Sequence, residues 1–201
     1  EAAAEQNEGG IKRLLVNLLP PATVVAVVMF WAFAPQAVLD NPWTLVIAIG
    51  ATVAFVLALE WVFERHAGWR MTWTEFATDF FYVILSFTVI AWVTEALAEA
   101  PLRAAKASLG ISTEWLMTLP FLEFGQYWMH RVMHNWHPFW LTHAPHHHIT
   151  QLNAMKGYVG NPIELFLISL SVVALLDFDT AAIFCALNVL AVVSTYAHAN
   201  V

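Results

Sequence analysis

Charge is scarce in this chain. Only 11% of the residues are Asp, Glu, Lys or Arg, where an average soluble domain carries about a quarter. Fifteen acidic residues stand against eight basic ones, for a net charge of −7. No basic patch interrupts them, so the sequence offers no face for nucleic acid. Cysteine is almost absent. Cys185 alone rules out a disulfide framework, and its apolar surroundings mark it as a small buried packing residue. No glycine-rich fingerprint for a flavin or a nicotinamide is present. No cleavable signal peptide is evident, because the chain opens on a polar stretch rich in Ala and Glu.

Hydrophobic residues make up 60% of the chain, and they come in long runs. Residues 14–38 are apolar apart from Asn17 and Gln36, with Pro20-Pro21 as an interruption. Residues 43–63 are apolar apart from Thr44, Thr52 and Glu60, and 80–97 apart from Ser86, Thr88, Thr94 and Glu95. A bilayer core takes about 20 helical residues, so three spanning helices are expected here. A fourth helix is expected from Ser112-Thr113-Glu114, a helix-start pattern, past Pro120. Two shorter apolar runs, 163–176 and 181–197, predict a shallow hairpin or two tilted spans around Asp177-Phe178-Asp179. The expected fold is therefore an all-α integral membrane protein, with about four long transmembrane helices and a short apolar helical hairpin. Residues 1–10 read as a disordered leader, 11–110 as the N-terminal transmembrane helices and 111–201 as the region carrying the histidine motifs. Lys12 and Arg13 before the first helix suit a cytoplasmic start. Counting crossings from there puts the end of the fourth helix, and also His198, on the cytoplasmic side.

Seven of the nine histidines lie between positions 130 and 148. Neutral imidazole is the commonest side-chain ligand for transition metals and suits iron, zinc, copper and nickel. His130 and His134 are four apart on a predicted helix, which stacks them on one face with Cβ atoms about 5–6 Å apart. By itself that spacing also fits two interfacial histidines. His143, His146 and His147 follow as a second group, in a segment, 136–162, read as mixed loop and short helix. Several clustered neutral imidazoles need their acceptor nitrogens satisfied, and a metal ion does so directly. A solvated histidine-rich loop is the plainer alternative.

The pattern Tyr127-Trp128-Met129-His130-Arg131-Val132-Met133-His134, then Trp140-Leu141-Thr142-His143-Ala144-Pro145-His146-His147, resembles the fatty acid hydroxylase/sterol desaturase superfamily. These are integral-membrane, non-haem di-iron enzymes. Tyr196-Ala197-His198-Ala199-Asn200 is similar to the later single-histidine segment of that family. The resemblance covers residues 115–201 and implies His130, His134, His143, His146, His147 and His198 as ligands of two Fe ions. His137 and His148 are extra histidines outside the matched pattern. It further implies O2 as co-substrate, a lipid substrate taken from the bilayer, hydroxylation or desaturation as the reaction, and a separate ferredoxin- or cytochrome-type electron donor. The family carries a further HxxHH cluster after the segment matching His198, and a C-terminal part beyond Val201 is expected on that ground. Asn161-Pro162-Ile163-Glu164 stands where many relatives read His-Pro followed by Glu.

Other polar residues within the apolar sequence invite roles. Arg131 could hold a carboxylate that orients a ligand or simply snorkel to the interface. Glu123 precedes His130 by seven residues, on nearly the same helix face and about 10 Å deeper, so it is either a functional intramembrane acid or a hydrogen-bonded structural group. Glu60 and Asp79 fall near the ends of the second and third helices, and Asp79 reads as serving the start of its own helix. His66 reads as a loop residue unrelated to the metal. Two rival functions remain open at this point. A zinc-dependent membrane hydrolase would use three ligands, an open water position and Glu123 as its base. A metal transporter or structural metal-binding protein would spread its histidines along a midplane path, whereas these gather at one helix end.

Overall fold

A computed structural model describes residues 2–100, 118–169 and 179–201, and those residues are helical with no strand. Helix α1, Ala2–Ala32, runs through Pro20 and Pro21 without a break. It begins at Ala2, so the leader expected over 1–10 is helical from that point, as its good helix formers Ala, Glu and Gln allow. A short turn of helix, α2 (Gln36–Leu39), leads to α3, Thr44–Phe63. After a 3₁₀ turn at Ala67–Trp69 comes α4, Trp73–Leu85. Thr72 caps α4 by a reciprocal capping box: its hydroxyl accepts the Glu75 N–H at 3.2 Å while the Glu75 carboxylate accepts the Thr72 N–H at 2.8 Å. Wide π-helical turns at Ser86–Ile90 and Glu95–Glu99 flank α5, Ala91–Thr94, and carry the rod onward.

The remaining helices are α6 (Thr118–Asn135), α7 (His137–His147), α8 (Pro162–Ser169) and α9 (Thr180–His198), with a 3₁₀ turn at Lys156–Tyr158 before α8. Among the described residues, four helices are long and apolar enough to cross a membrane: Lys12–Ala32, Thr44–Phe63, Trp73–Leu97 and Thr180–His198. The fourth of these is α9, the second leg of the expected hairpin, and not the histidine-bearing α6. Asp179 explains its length. The Asp179 side chain accepts the Ala182 N–H at 3.2 Å and caps a helix that begins at Thr180, one residue ahead of the apolar run, and ends at His198, one residue past it. The expected start of the fourth helix at 112–114 and the second half of the first hairpin leg, 170–176, lie outside the described residues.

Helix α9 is the central post. Ala182, Cys185, Ala186, Val189 and Val192 are buried on it, and α1, α3 and α6 all pack against it. Cys185 sits with Trp31 and Val189 in the apolar core, as its sequence context suggested. A buried polar thread crosses the same interface. Trp31 Nε1 donates to Asn188 Oδ1 at 3.1 Å, and Asn188 Nδ2 donates to Thr52 Oγ1 at 3.2 Å. Since an unsatisfied amide in hydrocarbon is costly, this thread fixes the register of α1, α3 and α9. That register places His198, at the end of α9, beside the other histidines.

Candidate metal centre

The first histidine group is built by two helices meeting at a sharp corner. Trp136 adopts extended backbone angles (φ −117°, ψ 113°) between α6 and α7, and Pro138 sits in the first turn of α7, where its missing N–H costs nothing. The corner folds α7 back on α6. The HxxHH segment is therefore the short helix of the stretch 136–162, and loop with one 3₁₀ turn follows it, in agreement with the sequence reading. At 3.6 residues per turn, His143 and His147 share a face as His130 and His134 do, while His146 projects from the adjoining face.

One ring nitrogen from each of His130, His134, His143 and His147 lies within 4.8 Å of the other three. The Nε2 atoms of His130 and His134 are 2.9 Å apart, and so are those of His143 and His147. Four nitrogens around one ion at about 2.1 Å would be at most about 4.2 Å apart, so the set needs to contract by only a fraction of an ångström. Trp140 flanks it, with ring centroids 5.4 Å from His134 and 5.9 Å from His147.

His143 is fully buried and its Nδ1 lies 2.7 Å from Oε1 of Glu164, itself 1% exposed. A carboxylate accepts, so Nδ1 carries the proton and Nε2 presents a lone pair. That lone pair faces the Nε2 of His147. Burial, with the neighbouring imidazoles, pushes His143 down to about 4 and lowers His147 as well. Both rings are therefore neutral ligands near neutral pH.

His146 and His198 form a second group. His146 Nδ1 donates to the Val159 carbonyl at 3.0 Å, and His198 Nδ1 donates to the Ser194 carbonyl at 2.7 Å. Both Nε2 atoms are then acceptors, and they face one another at 3.3 Å. Two opposed lone pairs repel unless a cation or a proton lies between them. The two groups adjoin: the rings of His143 and His146 lie nearly parallel with centroids 5.8 Å apart.

All six histidines implied by the resemblance are thus gathered at one place, divided four and two. The two extra histidines stand apart from both groups. His137 is exposed at the first turn of α7, and His148 is exposed with Nδ1 on the Ala144 carbonyl at 2.7 Å. His66 packs its ring on Trp69 at 4.4 Å. Arg131 hydrogen-bonds the Tyr127 hydroxyl at 2.8 Å and lies over the rings of Tyr127 and Trp128, in the manner of an interfacial arginine. Glu123 is exposed and does not belong to the four-histidine set. Asp79 departs from expectation. The start of α4 is served by Thr72 and Glu75, while Asp79 is buried and pairs with Lys156 Nζ at 2.8 Å and Asn153 Nδ2 at 2.7 Å. Sequence reasoning noted Glu164 only as part of an altered segment; its contact with His143 spans 21 residues and has no local signature.

The sequence model of a family described as fatty acid hydroxylase matches residues 115–201, the stretch that supplies all six of these histidines. No curated protein and no solved structure matches the chain.

Proposed function

From the match of residues 115–201 to the model of the fatty acid hydroxylase family, we propose that this chain is an oxygen-dependent lipid hydroxylase or desaturase with a non-haem di-iron centre. The observation that supports this reading best is the gathering of six imidazoles, with the Nε2 atoms of His146 and His198 facing one another as two acceptors. His130, His134, His143 and His147 would hold one ion, and His146 with His198 would contribute to a second. Iron held by neutral imidazoles supplies the redox chemistry with O2 that an unactivated C–H bond requires. The chain's own residues hold the geometry. Glu164 fixes the tautomer and plane of His143, the Val159 and Ser194 carbonyls do the same for His146 and His198, and Trp140 screens one side of the four-histidine set from water.

The centre lies at the membrane face in this reading, within reach of a chain lying in the bilayer. Lys12, Arg13, Phe63, Glu64, Arg65 and Val201 line one shallow cavity, so α1 at Lys12–Arg13 meets the C-terminal ends of α3 and α9 at the end that carries His198. The basic residues there favour the cytoplasmic side. Electrons come from a separate ferredoxin- or cytochrome-type protein, since the chain carries no flavin or nicotinamide fingerprint. A hydrolase is disfavoured, because its proposed base Glu123 is exposed and outside the histidine set.

The test is incubation of the iron-loaded membrane protein with acyl lipids, a reduced ferredoxin and ¹⁸O₂. A hydroxylated lipid carrying ¹⁸O, or a new double bond formed only with O2, is the expected product. Lipid hydrolysis independent of O2 would overturn the reading.

A further inference from the structure

Two buried carboxyl groups on membrane-spanning helices make their hydrogen bonds to neither histidine group. Glu60, in the last turn of α3, receives at Oε1 both the Ala154 N–H and the Asn200 N–H, each at 2.8 Å. Those donors belong to the two segments that carry the second histidine pair. Ala154 lies in the loop between His146 and Val159, and Asn200 lies two residues past His198. Asp79, on α4, holds the same loop through Asn153 and Lys156. Asn153 Oδ1 in turn accepts the Met155 N–H at 2.9 Å.

An acid within a membrane-spanning helix is costly and calls for a reason. Loop closure alone could be met by apolar packing, which often serves as well as a buried ion pair. What the loop delivers is the back of the histidine pair. Its Val159 carbonyl orients His146, and its Gly157 approaches α9 so closely that a Cβ there would stand 2.6 Å from Ser194 Oγ and 3.3 Å from His198 Nδ1.

We propose that Glu60 is a positioning residue for the His146–His198 pair: one oxygen grips both segments and so sets the separation of the two Nε2 atoms. Asp79 and Lys156 hold the loop that Glu60 grips. The inference rests on the reading of the pair as part of the metal centre.

The experiment uses the full chain in detergent with ¹⁵N-labelled histidine, as wild type, Glu60→Gln, Glu60→Leu and the double variant Asp79→Asn/Lys156→Met. Ring ¹⁵N shifts of the metal-free protein report the tautomer of His146, and Co²⁺ equilibrium binding counts ions. Glu60→Gln keeps an accepting oxygen and is expected to match wild type in both. Glu60→Leu is expected to release the Nδ1–H tautomer of His146 and to weaken the second Co²⁺ by about tenfold or more, with the first ion within twofold. The double variant, which leaves no buried charge unpaired, carries the same expectation should Glu60→Leu fail to fold. Wild-type spectra and affinities in Glu60→Leu, or equal loss of both ions in it and in the double variant, would overturn the proposal. A single Co²⁺ on wild type would instead sink the two-ion reading, and the His146 tautomer in Glu60→Leu would still decide the positioning role.

Discussion

A neutral imidazole has one donor nitrogen and one acceptor, and committing Nδ1 to a carbonyl or carboxylate commits Nε2 to whatever it faces. In this protein His143, His146 and His198 are all so committed, and each faces another imidazole nitrogen. Glu164 is the side-chain anchor among these, fully buried against the ring it holds. Glu164→Gln should weaken metal binding at the four-histidine set by about 10–100-fold, with His143 as the ring whose ¹⁵N shifts move; unchanged affinity would show that the carboxylate merely fills space. The depressed pKa of His143 and His147 has its own consequence. Below the free-imidazole value of about 6.5, the unfolded chain takes up protons that the folded site refuses. The metal-free protein should therefore lose stability as pH falls from about 6.5 toward 4 and gain nothing from these rings above that range. Thermal unfolding across pH 4–8 checks this. At this scale the histidine motifs were legible, because ligand type and spacing are written in the chain. Glu164 and the Val159 carbonyl were not, since their contacts depend on a fold that returns α8 and its preceding loop to α7.

The four-and-two division is a property of helices rather than of residues. It follows once HxxHH is helical, because 143 and 147 then share a face and 146 does not. The reading of 136–162 as mixed loop and short helix agrees with α7 and the loop after it but did not say which stretch is the helix: Pro138 stands in its first turn, where the missing N–H costs nothing, and Pro145 lies inside it. Likewise the apolar run 181–197 looked short for a span until Asp179 was seen to cap the helix. Two substitutions act at this level. Thr72→Ala removes the cap of α4 and should cost about 1 kcal/mol of stability, measured by denaturant unfolding in detergent, with metal content unchanged. Gly157→Ala drives a methyl group toward Ser194 and His198 and should weaken the second ion selectively, as read by Co²⁺ binding. Equal affinity for both ions in that variant and in wild type would remove the loop from the account of the pair.

At the scale of the whole molecule, three long apolar runs foretold three helices long and apolar enough to cross a membrane, because bilayer thickness fixes the length of a span. Which helix is the central post was hidden, since hydropathy does not distinguish lipid-facing from protein-facing surface. The polar thread of Trp31, Asn188 and Thr52 is what distinguishes α9. Orientation is set in this account by Lys12, Arg13 and Arg65 at the end shared with His198. With Cys185→Ala as background, Arg70→Cys should react with a membrane-impermeant thiol reagent only from the cytoplasmic side. Labelling from the opposite side would invert the topology and leave the centre facing away from its electron donor.

The central claim is that six histidines serve a centre of two iron ions and not one zinc. Metal analysis with Mössbauer spectroscopy on freshly purified protein grown with ⁵⁷Fe tests it most directly. Two irons per chain, in a coupled high-spin pair, are the result the account predicts. One zinc and no iron would contradict it.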